Sequence, residues 1–117
     1  MNPNTKIKFG TDGWRDTYQE NFNEKNIKLC IIGLIKHILN QSIESKPVVV
    51  GYDSRYKSKE FAEIVVSTLN EHNIQTFSFD SFAPTPACSI AVKHYQASYG
   101  VMITASHNSK EWNGIKI

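Results

Sequence analysis

The stretch "GVMITASHNSKEWNGIKI" (residues 100–117) puts a serine, a histidine and an asparagine, Ser106, His107 and Asn108, just after a strand-like run. Lys110 and Lys116 follow. Two chemistries and one structural role compete for Ser106. As a structural element it is a hydroxyl that satisfies a turn or caps a short helix. As an acyl-transfer nucleophile it needs a base within reach, and an adjacent His107 usually points elsewhere; the chain also has no G-x-S-x-G elbow. Phosphoryl transfer asks for a hydroxyl on an exposed loop, cations that spread charge over the equatorial oxygens, and usually a divalent metal. Ser106, Arg15, Lys110 and Lys116 meet the first two demands, while no metal ligand set stands nearby.

Three other segments place polar groups where they could join this one. They are "GTDGWR" with Thr11, Asp12, Trp14 and Arg15, "GYDSRYKS" with Asp53 and Arg55, and "FAPTP". If each follows a strand of a parallel sheet, all gather at one edge, where helix N-termini offer free N–H groups to anions. Mixed charges with a hydroxyl suit a phosphorylated polar ligand, because Arg and Lys match phosphate by charge-assisted bonds. Neither G-x-G-x-x-G nor G-x-x-x-x-G-K-[ST] occurs, so no motif supports nucleotide binding. Each residue also has a plainer use. Asp12 can hold its own turn, Arg15 can pair with Asp12 or Asp53, and Trp14 and Trp112, both expected in loops, can simply pack. Asn113-Gly114 is the strongest turn signal in the chain, and a tight hairpin there would return Lys116 to Ser106.

These loops need a scaffold, and the apolar pattern supplies one. "KIKFG" reads as a short strand. Ile27, Ile31, Leu34, Ile35 and Ile38 recur at helical spacing between Asn23, a cap, and Gln41, with Leu29 and Ile32 widening the stripe. "VVVGY" after Pro47 reads as a central strand covered on both faces. A second helix runs from Ser58, as cap, to a stop at Asn73, and "IQTFSF" alternates like an edge strand. Thr85-Pro86 is a cap and first-turn proline opening a third helix. "SYGVMITA" and "GIKI" are the last strands. The order β-α-β-α-β-α-β-β predicts a three-layer α/β/α sandwich around a mixed, mostly parallel sheet, with the final strand returning antiparallel.

At 117 residues the chain makes one compact domain, and residues 1–117 are expected to act as one unit. Lys plus Arg 13 against Asp plus Glu 11, without a basic block, argues against a nucleic-acid partner. The apolar run "LCIIGLI" is far short of the roughly 20 residues that cross a bilayer, and the polar start resembles no signal peptide. The cytoplasm is therefore the expected compartment and no membrane partner is expected. Cys30 and Cys88 read as small buried hydrophobes, and His37, His72 and His94 as surface or boundary residues of helices. "GIKI" meets the C-terminus without a closing element, which suggests a piece of something longer.

Taken together, "KFGTDGWR", "VVVGYDSR", "APTPA" and "GVMITASHNSKEWNGIKI" resemble, in order and over nearly the whole chain, the N-terminal domain of the α-D-phosphohexomutases, the phosphoglucomutases and phosphomannomutases. The resemblance implies most of domain I of a four-domain enzyme that interconverts hexose 1-phosphate and hexose 6-phosphate through hexose 1,6-bisphosphate. It implies that Ser106 carries the phosphoryl group, with His107 beside it. Lys116 would assist proton transfer or stabilise the transferring group, and Arg15 would hold anionic groups of the cleft. Thr11, Asp12, Trp14, Asn108 and Lys110 would form the phosphate and substrate surroundings. It further implies one Mg²⁺, reached from this chain only by Ser106 through its phosphate. The metal's aspartates, the sugar-recognition loop and the distal phosphate site would belong to C-terminal domains that are the chain's natural partners. A sugar phosphate would be the substrate, with sugar preference and oligomeric state left open. The isolated piece would then be inactive, the alternative being a non-catalytic phosphate- or sugar-phosphate-binding module. Ser109 replaces the family's usual proline, which leaves the loop exit freer.

Overall fold

The computed structural model describes residues 13–17, 20–105 and 112–117. Its elements are β1 (Trp14–Thr17), α1 (Glu24–Asn40), β2 (Val48–Tyr52), α2 (Ser58–Glu71), β3 (Thr76–Ser78), α3 (Thr85–His94), β4 (Tyr99–Ile103) and β5 (Trp112–Lys116). The sheet order is β1-β5-β4-β2-β3. Strand β2 is parallel to both β3 and β4, while β5 is antiparallel to β4 and to β1. Among the described strands β5 alone is thus reversed, which makes the sheet mixed but mostly parallel.

Helices α1 and α2 cover one face and bury a continuous apolar core that includes Phe22, Ile31, Ile38, Val50, Val65, Ile103 and Ile115. Helix α3 covers the other face over a much smaller cluster of Val49, Cys88 and Met102. The expected three-layer α/β/α architecture is therefore present. Strand β2 is buried at every residue, as a central strand must be, and β3 lies at the sheet edge. Asn23 caps α1 by accepting a hydrogen bond from the Asn26 amide, and Gln41 ends the helix.

All three helices stop by the same device. Ser42, Asn73 and Gln96 take positive φ of 55°, 62° and 53°. The amides of Ile43, Ile74 and Ala97 then reach back to the carbonyls of Ile38, Leu69 and Val92. This closure satisfies carbonyls that the helix leaves unpaired, and it turns the chain directly toward the next strand or loop.

Several local expectations need correction. Trp14 and Arg15, expected in a loop, lie in β1, and Trp112 is the first residue of β5. A four-residue strand holds too few alternations to show as a period, and Trp14 is placed by burial (1% exposed) rather than by pattern. Asn113-Gly114 is not a turn; both residues lie within β5, and the connection from β4 spans residues 104–111. Ser58 is the first residue of α2 rather than its cap, a place taken by Lys57 at φ 63°. Thr85 likewise opens α3 behind Pro84. The expected strand "KIKFG" lies outside the described residues.

Candidate functional site

The site is built from the strand register upward. Arg15 pairs with Gly114, and the Thr104 amide donates to the Gly114 carbonyl at 2.9 Å. Arg15, Gly114 and Thr104 therefore stand in one row across β1, β5 and β4, at the carboxyl end of β4. Lys116 pairs with Met102 two residues further in. Partners across a ladder share a face, and so do residues two apart along a strand. Arg15, Thr104, Met102 and Lys116 thus all face α3. Gly114 is required in this row: a Cβ there would lie 2.6 Å from the Trp14 carbonyl oxygen, 2.8 Å from that of Thr104 and 2.9 Å from Cγ of Arg15. The arginine stem crosses the strand where a side chain would stand.

The opposite face of the same strand is locked differently. Asn113, 1% exposed, donates through Nδ2 to the Ser58 hydroxyl at 2.9 Å. Ser58 donates in turn to Oδ1 of Asp53 at 2.7 Å. Asp53 also accepts from the Arg55 amide at 3.0 Å, and its Oδ2 lies 3.5 Å from Nε of Arg55. The Asp53 amide donates to the Ile103 carbonyl, continuing the β2–β4 pairing into the loop. The loop after β3 is tied to the same edge by the Ala83 amide, which donates to the Tyr52 carbonyl at 2.9 Å. The second and third predicted loops therefore meet at the carboxyl ends of the parallel strands, as expected.

Trp14 turns away from this edge. Its ring lies 4.8 Å from that of Phe22, which meets Phe61 edge-on at 5.0 Å. The indole is a core residue, and its Nε1 is buried with no hydrogen-bond partner among the described residues. At the far end of β1, Asp16 accepts from the Thr17 amide and from Nδ2 of Asn21, so its carboxylate fixes the turn into α1. Asp53 pairs with Arg55 in its own loop.

The predicted residues Thr11, Asp12, Ser106, His107, Asn108 and Lys110 lie outside the described residues, as does Ser109. Those described, Arg15 and Lys116, are brought onto one face by the sheet rather than by a tight turn. Asn113 and Ser58 were missed as a pair because each obeys a local rule, turn for Asn-Gly and cap for serine; their separation in sequence hides the bond between them.

A cavity of about 360 Å³ runs beside Lys116, under α3, with walls that include Cys88, Val92, Gly100 and Met102. Another of about 330 Å³ at the carboxyl edge includes Asp53, Arg55, Lys57 and Lys59. Among the described residues no group of three or more His, Cys, Asp or Glu could hold a metal. Both cysteines are free and buried, and burial pushes the Cys30 thiol up to about 12 and raises that of Cys88. His37, His72 and His94 are exposed. No helix among the described residues is long and apolar enough to cross a membrane.

With this geometry in place, comparison with known proteins is informative. Residues 6–117 match the family described as phosphoglucomutase/phosphomannomutase, alpha/beta/alpha domain I. A phosphoglucomutase of Staphylococcus epidermidis is 41% identical over 117 residues, covering 97% of this chain and 21% of the relative. One from Staphylococcus aureus is 38% identical over 116 residues, with the same coverage of 97% and 21%. A crystal structure of a Thermus thermophilus protein assigned as a phosphomannomutase superposes with a TM-score of 0.80 at 32% identity, covering 94% of this chain and 25% of that one. The chain thus spans about a fifth of the length of the curated relatives it matches.

Proposed function

The chain belongs to the phosphoglucomutase/phosphomannomutase family, as its domain I, and from that premise we propose that it is the phosphoserine-carrying part of an intramolecular phosphotransferase acting on hexose phosphates. The observation that carries this reading is the shared face of Arg15 and Lys116, in the row of strands that leads through Thr104 into the segment holding Ser106.

Ser106 acts as the phosphoryl carrier. The bond between its Oγ and phosphorus breaks as the free hydroxyl of a hexose monophosphate bonds to that phosphorus, and the proton of that hydroxyl passes in net to Oγ, which leaves as the free serine hydroxyl. The resulting hexose 1,6-bisphosphate turns over, its other phosphoryl group passes back to Ser106, and the isomeric monophosphate leaves. Lys116 assists the proton transfer or offsets charge on the moving group, and Arg15 holds anionic oxygens of the ligand. His107 lies beside the carrier, while Thr11, Asp12, Asn108 and Lys110 complete the polar surroundings. Trp14 supports this arrangement from the core side. Positioning and a preorganised field supply most of the acceleration in such transfers.

The family reading brings Mg²⁺ with it, but the described residues offer no carboxylate cluster for it, so no step here is routed through the metal. The remaining domains of a full-length mutase supply the rest of the cleft, and the chain alone is inactive. The cytoplasm is its place of action.

Exchanging residues 1–117 for the corresponding segment of the S. epidermidis phosphoglucomutase tests this. The chimera should interconvert glucose 1-phosphate and glucose 6-phosphate with added bisphosphate and Mg²⁺, and Ser106→Ala in it should not. The isolated chain should show no turnover under the same conditions. A folded chimera that binds hexose phosphate without turnover would instead favour a non-catalytic binding module.

A further inference from the structure

We propose that Asn113 and Gly114 together are a register lock for β5, and that Asn113 is a positioning residue which brings Arg15 and Lys116 onto one face. The inference builds on the reading above, since it concerns the placement of the two cations that reading uses.

The apolar pattern of β5 specifies its register weakly. In the strand "WNGIK" Ile115 is the one apolar side chain in the main core among the residues whose burial is described, and β5 meets β4 through Met102↔Lys116 and Ile103↔Ile115. A slip of one residue would send every side chain to the opposite face, and would carry Lys116 away from Arg15. Two adjacent residues oppose it, one on each face. Gly114 fills a slot that no larger residue enters, being bounded by the Trp14 and Thr104 carbonyls and the Arg15 stem. Asn113 on the other side is anchored through Ser58 to Asp53, a carboxylate already held by the Arg55 amide. Oδ1 of Asn113 accepts from the Gly114 amide at 2.9 Å, so both ends of the side chain are engaged. A buried polar residue of this kind favours one alignment, because a slipped strand takes its Nδ2 donor away from Ser58 and leaves it unsatisfied.

The ladder provides its own reporters. The Thr104 amide bonds directly to the Gly114 carbonyl. That bond makes Thr104 and Gly114 a hydrogen-bonded pair, so Ile103 and Ile115 form the next, closely spaced pair, whose Hα atoms give a cross-strand nuclear Overhauser effect. In the isotope-labelled chain, Asn113→Ala should weaken or shift that effect and speed exchange of the Thr104 and Ile115 amides at least tenfold. The Val49 and Val101 amides should change by less than twofold. Ser58→Ala should act at the same two amides, and the double variant should be no worse than the more severe single one. If Asn113→Ala does not fold, Ser58→Ala decides by the same amides. The proposal is overturned if the Ile103–Ile115 effect persists with unchanged exchange at Thr104, or if protection falls uniformly across the sheet, as for a mere stabiliser. An inactive chimera would count against the phosphoryl-transfer reading while leaving these signals in place, so the two failures are distinguishable.

Discussion

Toward α1 and α2 the sheet presents Trp14, Val48, Val50, Val101, Ile103 and Ile115, all fully buried. Toward α3 it presents Val49 and Met102 together with Arg15, Thr104, Lys116 and the Gly114 slot. The first face is saturated with branched and aromatic side chains. The second is thinly covered, and Ile90 of α3 stays 68% exposed. The same strands serve both faces, because alternate residues point opposite ways. Stability is therefore concentrated on one side, while the other carries two cations on one face of the strands. What keeps the arrangement in step is polar: the Asn113–Ser58–Asp53 chain on the packed face fixes the strand whose other face carries Lys116.

The largest test of this division is a core truncation. Phe22→Ala, which removes a ring at 0% exposure between Trp14 and Phe61, should cost about 3–5 kcal/mol in urea unfolding. Ile90→Ser on α3 should stay within about 0.5 kcal/mol. Comparable losses at the two positions would break the comparison.

A functional truncation sharpens it from the other side. In the active chimera Lys116→Met should lower kcat by about 100-fold, the size typical of a lost proton-transfer or charge-stabilising group. Its unfolding midpoint should barely move, as Lys116 is only half-buried. A stability loss matching that of Phe22→Ala would place Lys116 in the scaffold instead.

The packed face also predicts a pH dependence. The folded Cys30 thiol ionises at about 12, against an ordinary value of 9.0. Between those values the unfolded chain has lost the proton and the folded chain keeps it, so stability falls as pH rises above 9.0, by at most about 1.4 kcal/mol per pH unit. Cys88 shifts in the same direction. Cys30→Ala should flatten the decline seen in unfolding at alkaline pH, whereas an identical decline in the variant would remove the thiol from the account.

How much of this was legible in the sequence follows from where the information lies. Helix α1, with its Asn23 cap, and the buried β2 strand show plainly, because each repeats a period long enough to read. Strand β1 does not, since four residues carry too little pattern and Trp14 is placed by a distant ring, Phe22. Asn113-Gly114 misleads because its local meaning is a turn, while its actual partners, Ser58 and Arg15, lie far away in sequence. The candidate cations Arg15 and Lys116 were legible as residue types and by family resemblance. Their shared face was not, for it depends on a register set by contacts of high sequence separation.

The central claim is that this domain carries the transferred phosphoryl group on Ser106. Its most direct test is to incubate the chimera with hexose 1,6-bisphosphate, digest it, and locate phosphate by mass spectrometry. One phosphoryl group on the peptide containing Ser106, lost on adding excess hexose monophosphate and absent from Ser106→Ala, is the predicted result. A catalytically active chimera with phosphate elsewhere, or with turnover undiminished by Ser106→Ala, would contradict it.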